Sequence, residues 1–219
     1  MRKIKIIIFI AIVSLVFLSF ARRPIDQQKK ISREQIHRFE RQEVTVEDFD
    51  TEGYILDIGG GGEGVIGQLK GQQVIAIDIS KRELEEAPPG PLKIVMDARD
   101  MKFIDESFNT VTVFFTFMYI NSSDHQKVLE EAFRVLIPGG RVLIWDGIFP
   151  ERIDDKKDVA VFPLKVKLPG KEITTGYGVR WPEKEQGVAH YMDLAKNVGF
   201  EVISHREKDQ WFFLELKKR

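Results

Sequence analysis

Ile55-Leu56-Asp57-Ile58-Gly59-Gly60-Gly61-Gly62-Glu63-Gly64-Val65-Ile66 runs from an apolar stretch through an acid into a glycine-dense turn and then into a helical pattern. Without Cβ atoms, such a turn lets backbone N–H groups approach a ligand closely. Nineteen residues after Gly59, a second apolar run, Val74-Ile75-Ala76-Ile77, also ends in an acid, Asp78. A carboxylate there is placed to accept hydrogen bonds from both hydroxyls of a ribose. The two features together imply a nucleoside-bearing ligand.

Outward from this stretch, apolar runs and turn signals alternate at the tempo of βα units. The pattern predicts strands over 54–58, 73–78, 92–96, 110–115 and 141–145. Helices are expected over 64–70, 81–86 and 124–136, the last with Val128, Leu129, Ala132, Phe133 and Leu136 on one face. Pro138-Gly139-Gly140 turns the chain into the fifth strand. The remainder reads as a hairpin (159–168 and 172–177), a helix over 183–197 and two closing antiparallel strands, 200–205 and 211–217. The expected fold is α/β, a doubly wound Rossmann-like mixed sheet with a terminal antiparallel strand pair. No internal repeat or low-complexity segment interrupts it.

Composition bounds the rest. At 219 residues, 43% hydrophobic and 31% charged, the chain supports one good-sized core. A net charge of −1 makes no overall electrostatic case for nucleic acid. Absence of cysteine excludes disulfides, thiolate metal sites and cysteine nucleophiles, and no His/Asp/Glu group shows metal-ligand spacing.

The N-terminus reads differently. Met1-Arg2-Lys3-Ile4-Lys5 is basic, Ile6 to Ala21 carries no charge, and Arg22-Arg23-Pro24 follows. At about 1.5 Å per residue the uncharged run covers roughly 24 Å, just short of a bilayer core, and Lys5 and Arg22 can snorkel to close the gap. Residues 1–23 are therefore expected to form an N-terminal transmembrane anchor, with a cleaved signal peptide and export as the alternative. The cationic flank of Arg22, Arg23, Lys29, Lys30 and Arg33 places the following domain on the cytoplasmic side. Residues 24–50 are read as a juxtamembrane helix, from the spacing of Ile31, Ile36 and Phe39 and a capping-box pattern at Ser32 and Gln35. The catalytic domain then spans 51–219.

The 53–217 region resembles the class I S-adenosylmethionine-dependent methyltransferases, on four motifs in the family's order. They are Asp57-Ile58-Gly59-Gly60-Gly61-Gly62-Glu63-Gly64, Asp78, Asp97-Ala98, and Ser107-Phe108-Asn109-Thr110-Val111 leading to Phe114-Phe115-Thr116-Phe117-Met118-Tyr119. Glu130-Glu131-Ala132-Phe133-Arg134-Val135-Leu136-Ile137-Pro138-Gly139-Gly140 adds the family's helix-to-strand turn. The resemblance implies that Asp57 recognises the methionine amino group of S-adenosylmethionine and that Gly59, Gly60, Gly61 and Gly62 pack against the methionine and ribose. Asp78, followed by Ile79, would hold the ribose, Asp97 and Ala98 the adenine, and Phe114 and Phe115 would complete the cofactor site. The loop departs from the family pattern, because the third glycine falls on Glu63. An aspartate is also commoner where Asn109 stands.

Three acids, Asp57, Asp78 and Asp97, thus fall at successive strand ends about twenty residues apart, on the sheet edge where ligands of such folds bind. Two other readings stand beside this one. Gly59, Gly61 and Gly64 also satisfy the G-x-G-x-x-G fingerprint of an NAD-dependent oxidoreductase, although Asp57 would repel a pyrophosphate and attract an ammonium. A cofactor-binding module without catalysis is the third reading. The acceptor is expected to be a small, lipophilic molecule, given Phe114, Phe115, Phe117 and Phe149. Tyr119 and His190 are the candidate catalytic residues. Tyr191 could face the site with His190, while His125 reads as structural. Tyr177 and Trp181 could stack on a flat acceptor or fill the hairpin's core.

Overall fold

The computed structural model describes residues 31–152 and 154–219, so the expected anchor over residues 1–23 lies outside the described residues. No helix among the described residues is long and apolar enough to cross a membrane.

Two sheets build the molecule. The N-terminal strands β1 (Ile36–Arg38) and β2 (Gln42–Thr45) precede β3 (Ile55–Ile58), helix α1 (Val65–Lys70), β4 (Val74–Asp78), α2 (Lys81–Glu86) and β5 (Leu92–Val95). Then come β6 (Phe108–Phe114), α3 (His125–Val135), β7 (Leu136–Gly147), β8 (Val159–Leu168), β9 (Lys171–Arg180), α4 (Val188–Val198), β10 (Phe200–Lys208) and β11 (Trp211–Lys218).

The larger sheet has seven strands in the order β10-β11-β7-β6-β3-β4-β5. Its β3, β4, β5, β6 and β7 pair in parallel, and β11 runs antiparallel to both β7 and β10. The mixed doubly wound sheet and the terminal antiparallel pair are therefore as the sequence implies. The reversed β11 lies between β7 and β10, where an all-parallel dinucleotide fold carries a sixth parallel strand. Strands β3 and β6 sit centrally and are almost wholly buried, which explains their continuous apolar runs. Pro138-Gly139-Gly140 survives as an irregularity inside β7: Phe108 pairs with Leu136, and the register resumes at Thr110 and Arg141.

The smaller sheet corrects the juxtamembrane helix over residues 31–50, while residues 24–30 lie outside the described residues. The only helical turn among residues 31–50 is a 3-10 turn at Arg33–Gln35, where the Ser32 N–H donates to Gln35 Oε1 at 2.9 Å. From Ile36 the chain is extended. β1 and β2 lie one after the other along the same edge of β8, both parallel to it, at Ile36 with Val159 and at Gln42 with Leu164. The other edge of β8 carries β9, antiparallel. In β2, Gln42 and Val44 point inward while Glu43 and Thr45 point to solvent, a period-two alternation that a helix cannot satisfy. Packing across the sheet outweighs the weak helical spacing of Ile36 and Phe39. Arg38 and Arg41 stay exposed.

This sheet packs on the α1 side of the larger one. Phe39, Val44, Phe149, Phe162, Leu164 and Trp181 join Val65, Ile66, Phe115 and Trp145 in one apolar cluster. Trp181 is 4% exposed, against Phe39 and Phe149, so it fills the hairpin's core.

Candidate functional site

Asp57, Asp78 and the glycine turn meet at the C-terminal edge of β3 and β4, with Asp97 just beyond β5. The turn folds back on the sheet: the Gly59 and Gly60 N–H groups both donate to Ile77 O, at 2.8 and 3.1 Å. Gly59 adopts φ +73, and a methyl group added to it would lie 2.2 Å from Thr116 Oγ1. No other residue fits there. Gly61 approaches Asp78 so closely that a Cβ would stand 2.8 Å from Asp78 Oδ2. The Asp78 carboxylate accepts the Ser80 N–H at 2.8 Å and also that of Gly61. Burial pushes its pKa up, and these two donors oppose the shift. A carboxylate fixed in this way is ready to accept two ribose hydroxyls. Next to it Ile79 is 68% exposed, an apolar face available to a flat ring.

Asp57 lies deeper. It is 2% exposed, beneath Gly60, where a Cβ would come within 2.6 Å of its Oδ2. Its one side-chain donor is the Thr112 hydroxyl on β6, 2.7 Å from Oδ1. Burial is the main reason its pKa is raised from 3.8 to about 7, with the charge of Asp78 adding to the rise and the Thr112 bond opposing it.

Asp97 is already paired. Arg99 Nε and Nη2 lie 2.7–3.1 Å from its carboxylate oxygens, and the Arg99 N–H donates to Oδ1 at 2.9 Å. These bonds hold the Asp97 carboxyl below its ordinary range. Arg99 Nη1 also reaches Asp124 at 2.7 Å. A base amine arriving at Asp97 must share the carboxylate with this guanidinium. Ala98 follows, half-buried.

The β6 end forms the facing wall. Phe114 and Phe115 are buried with ring centroids 5.1 Å apart. Phe115 adopts φ +49, a left-handed conformation rare for a bulky residue and characteristic of functional turns. The turn that follows is held by Asp146, a buried acid near the end of β7 that accepts backbone N–H bonds from Thr116, Phe117, Met118 and Gly147. Burial raises its pKa to about 7 against these donors. Sequence reasoning passed over Asp146, although it ends its strand as Asp57 and Asp78 end theirs.

Tyr119 and Tyr177 complete this wall. Tyr119 is 43% exposed as a residue, but its phenol end turns inward and accepts the Gly178 N–H. Tyr177, on β9, lies 5.6 Å from Phe115 and 6.4 Å from Tyr119 between ring centroids. Its hydroxyl donates to Glu63 Oε2 at 3.0 Å, and the Thr175 hydroxyl bonds Glu63 Oε1. Glu63 therefore ties the glycine loop to the hairpin of the second sheet.

His190 is placed elsewhere. Its Nε2 is 3.1 Å from Nδ1 of the fully buried His125, whose Nε2 faces Phe117 O and Ile120 O at 3.1 and 3.0 Å. Two carbonyls fix His125 Nε2 as the donor, so its Nδ1 accepts from His190. The pair braces the segment after β6, and Tyr191 stacks on His125 within the core. His190 and Tyr191 thus pack together with His125.

The arrangement fits S-adenosylmethionine. Three glycines clear the backbone for close approach, and the acidic side chains of Glu63, Asp78 and Glu83 cluster beside them, a setting that favours a cationic ligand. Residues 56–144 match a family model described as a methyltransferase domain. A demethylmenaquinone methyltransferase of Clavibacter sepedonicus is 32% identical over 152 residues, 62% of this chain and 60% of that protein. One of Thermotoga maritima is 34% identical over 123 residues, 52% of each chain. The matched part of the chain thus spans only about half to three fifths of these relatives' length. In fold, an S-adenosylmethionine-dependent methyltransferase of Methanosarcina mazei superposes with a TM-score of 0.56 at 18% identity, over 78% of this chain and 94% of that one. Over residues 56–144 the chain is therefore similar to a methyltransferase domain, in a fold shared with a solved S-adenosylmethionine-dependent methyltransferase.

Proposed function

We propose that the protein binds S-adenosylmethionine and directs its methyl group to a small, apolar, flat acceptor. The observation that carries the reading is the fixed Asp78 carboxylate beside the Gly59–Gly61 turn, at the sheet edge that Phe114, Phe115 and Tyr119 wall from the other side. In this reading Asp78 and Ile79 hold the adenosine, Asp97 and Ala98 border the base, and the glycine turn carries the amino-acid tail. The cofactor supplies a methyl group already activated on a sulfonium, so the chain's own task is alignment and exclusion of water.

For the acceptor, the aromatic wall favours a flat apolar ring. Two relatives bear the name demethylmenaquinone methyltransferase, which supports an acceptor of quinone type. The uncharged run from Ile6 to Ala21 between cationic flanks supports a single-pass membrane anchor with the domain on the cytoplasmic side, near such a substrate.

Calorimetry on the full chain tests the cofactor. S-adenosylhomocysteine is expected to bind and NAD to produce no heat; the reverse preference sinks the reading. Labelled-methyl transfer to quinols, compared with phenols and phospholipids, tests the acceptor, and transfer to phospholipid alone would overturn the quinone assignment.

A further inference from the structure

Glu63 stands where the family pattern has its third glycine, so this loop projects a carboxylate that the pattern does not require. Its side chain reaches across to β9, where both oxygens accept from neutral hydroxyls, those of Thr175 and Tyr177. Among the described residues, no lysine or arginine forms a salt bridge with it. A carboxylate offers about four lone-pair positions, of which two are used here.

The surroundings select for positive charge. Phe115 and Tyr177 lie tilted to each other, with ring planes 33° apart, and Tyr119 meets Tyr177 edge-on at 86°. Burial, followed by the charge of Glu63, raises the pKa of both phenols. Asp78 and Glu83 add further negative charge, each raised mainly by burial. Electron-rich rings beside a carboxylate with no cation of its own form the pattern that binds alkylated cations. Asp57, the acid the resemblance assigns to an ammonium, is sealed beneath Gly60. Glu63, half-buried, is the more accessible of the two acids.

We propose that Glu63, walled by Phe115, Tyr119 and Tyr177, binds an onium centre, an alkylammonium or a sulfonium. Two sources share this chemistry: the methionine end of the cofactor, in which case the inference rests on the cofactor reading above, and an amine carried by the acceptor. Glu63→Gln removes the charge and keeps one oxygen to accept from one of the two hydroxyls, while its NH2 group can donate to the oxygen of the other. Tyr177→Phe keeps the ring and removes one tether.

Calorimetry on the full chain compares S-adenosylhomocysteine with 5′-methylthioadenosine, which has the adenosine and thioether but no amino-acid tail. If Glu63 holds the tail, Glu63→Gln weakens S-adenosylhomocysteine about ten- to a hundredfold and leaves methylthioadenosine unchanged. Tyr177→Phe then changes the ratio of the two affinities by less than about threefold. If the cation belongs to the acceptor, both nucleosides bind the variant normally. Tetramethylammonium, titrated onto the S-adenosylhomocysteine-loaded protein and followed by ligand-detected NMR, then binds wild type and not Glu63→Gln.

The proposal is overturned if Glu63→Gln leaves all three probes unchanged. It is overturned equally if the variant weakens both nucleosides alike and Tyr177→Phe reproduces that loss, because Glu63 is then only a tether. Wild-type protein that ignores S-adenosylhomocysteine removes the cofactor reading instead, and tetramethylammonium alone then decides the onium site.

Discussion

Relative to wild type, Asp57→Asn is expected to gain stability as pH rises from about 4 to 7, with a constant gap above that. The Asp57 carboxyl is buried, has one side-chain donor in Thr112, and its pKa rises from 3.8 to about 7. The native state therefore holds this proton more tightly than the unfolded chain does. Between about pH 4 and 7 the native protein binds the extra proton, so stability falls as pH rises, by at most about 1.36 kcal/mol per pH unit. Over the full window the loss approaches about 4 kcal/mol. At about 2–4 °C per kcal/mol for a chain of this size, that sets a ceiling of roughly 8–16 °C in melting temperature. Asparagine cannot ionise, so the variant escapes the loss. Asp146 titrates in the same window, but it does so in both proteins and cancels in the difference. Any cost of seating the buried amide is independent of pH and cancels from the slope. The assay is melting temperature, or urea midpoint, of both proteins from pH 4.5 to 8.5. The gap between them should open with pH; parallel curves would refute the account of Asp57 as a buried acid that ionises at a cost.

Other perturbations reach the rest of the site. Asp78→Ala should weaken S-adenosylhomocysteine at least about tenfold in calorimetry, because it removes an acceptor for charge-assisted bonds to the ribose; normal binding would remove the ribose assignment. Gly59→Ala places a methyl group 2.2 Å from Thr116 Oγ1 at φ +73. A destabilisation of at least about 1–3 kcal/mol is expected in urea unfolding, and an unchanged midpoint would show that the turn relaxes freely. Phe162→Ala in β8 empties a fully buried site against Phe39 and Phe149, at about 3–5 kcal/mol. A melting shift below about two degrees would mean that the second sheet does not fold cooperatively with the first.

The larger sheet was legible because its signals are local. Apolar runs of strand length and glycine and proline punctuation place β3 to α2 within a residue of expectation. The second sheet was not legible at its N-terminal edge. Ile36 and Phe39 are spaced as on a helix, and the alternation of Gln42, Val44 and Val46 is too short to outweigh that. These residues become strands only because β8 offers them an edge, and Ile36 pairs with Val159 far along the chain. Burial of one face against Phe162 and Trp181 then decides the conformation, a tertiary effect that local periodicity cannot carry.

The same distance in sequence separates what was visible of the site from what was not. Asp57 and Asp78 announce themselves by ending strands, but their inequality depends on Gly60 covering one and Gly61 and Ser80 donating to the other. Arg99 sits two residues from Asp97, and nothing in that spacing says that the guanidinium occupies the carboxylate. Glu63 is the sharpest instance. Within the loop it is only a misplaced glycine, and its partners Thr175 and Tyr177 lie more than a hundred residues away on β9. A glycine at that position would remove both of these hydrogen bonds between the loop and the hairpin. The glutamate puts a charge at their junction, under Tyr177 and beside Phe115, and a half-buried charge is sustained only by hydrogen bonds or a counter-ion. The hydroxyls supply the first. The second would come from the onium ligand proposed above, in which case the residue that breaks the glycine pattern also narrows the charge of the ligand.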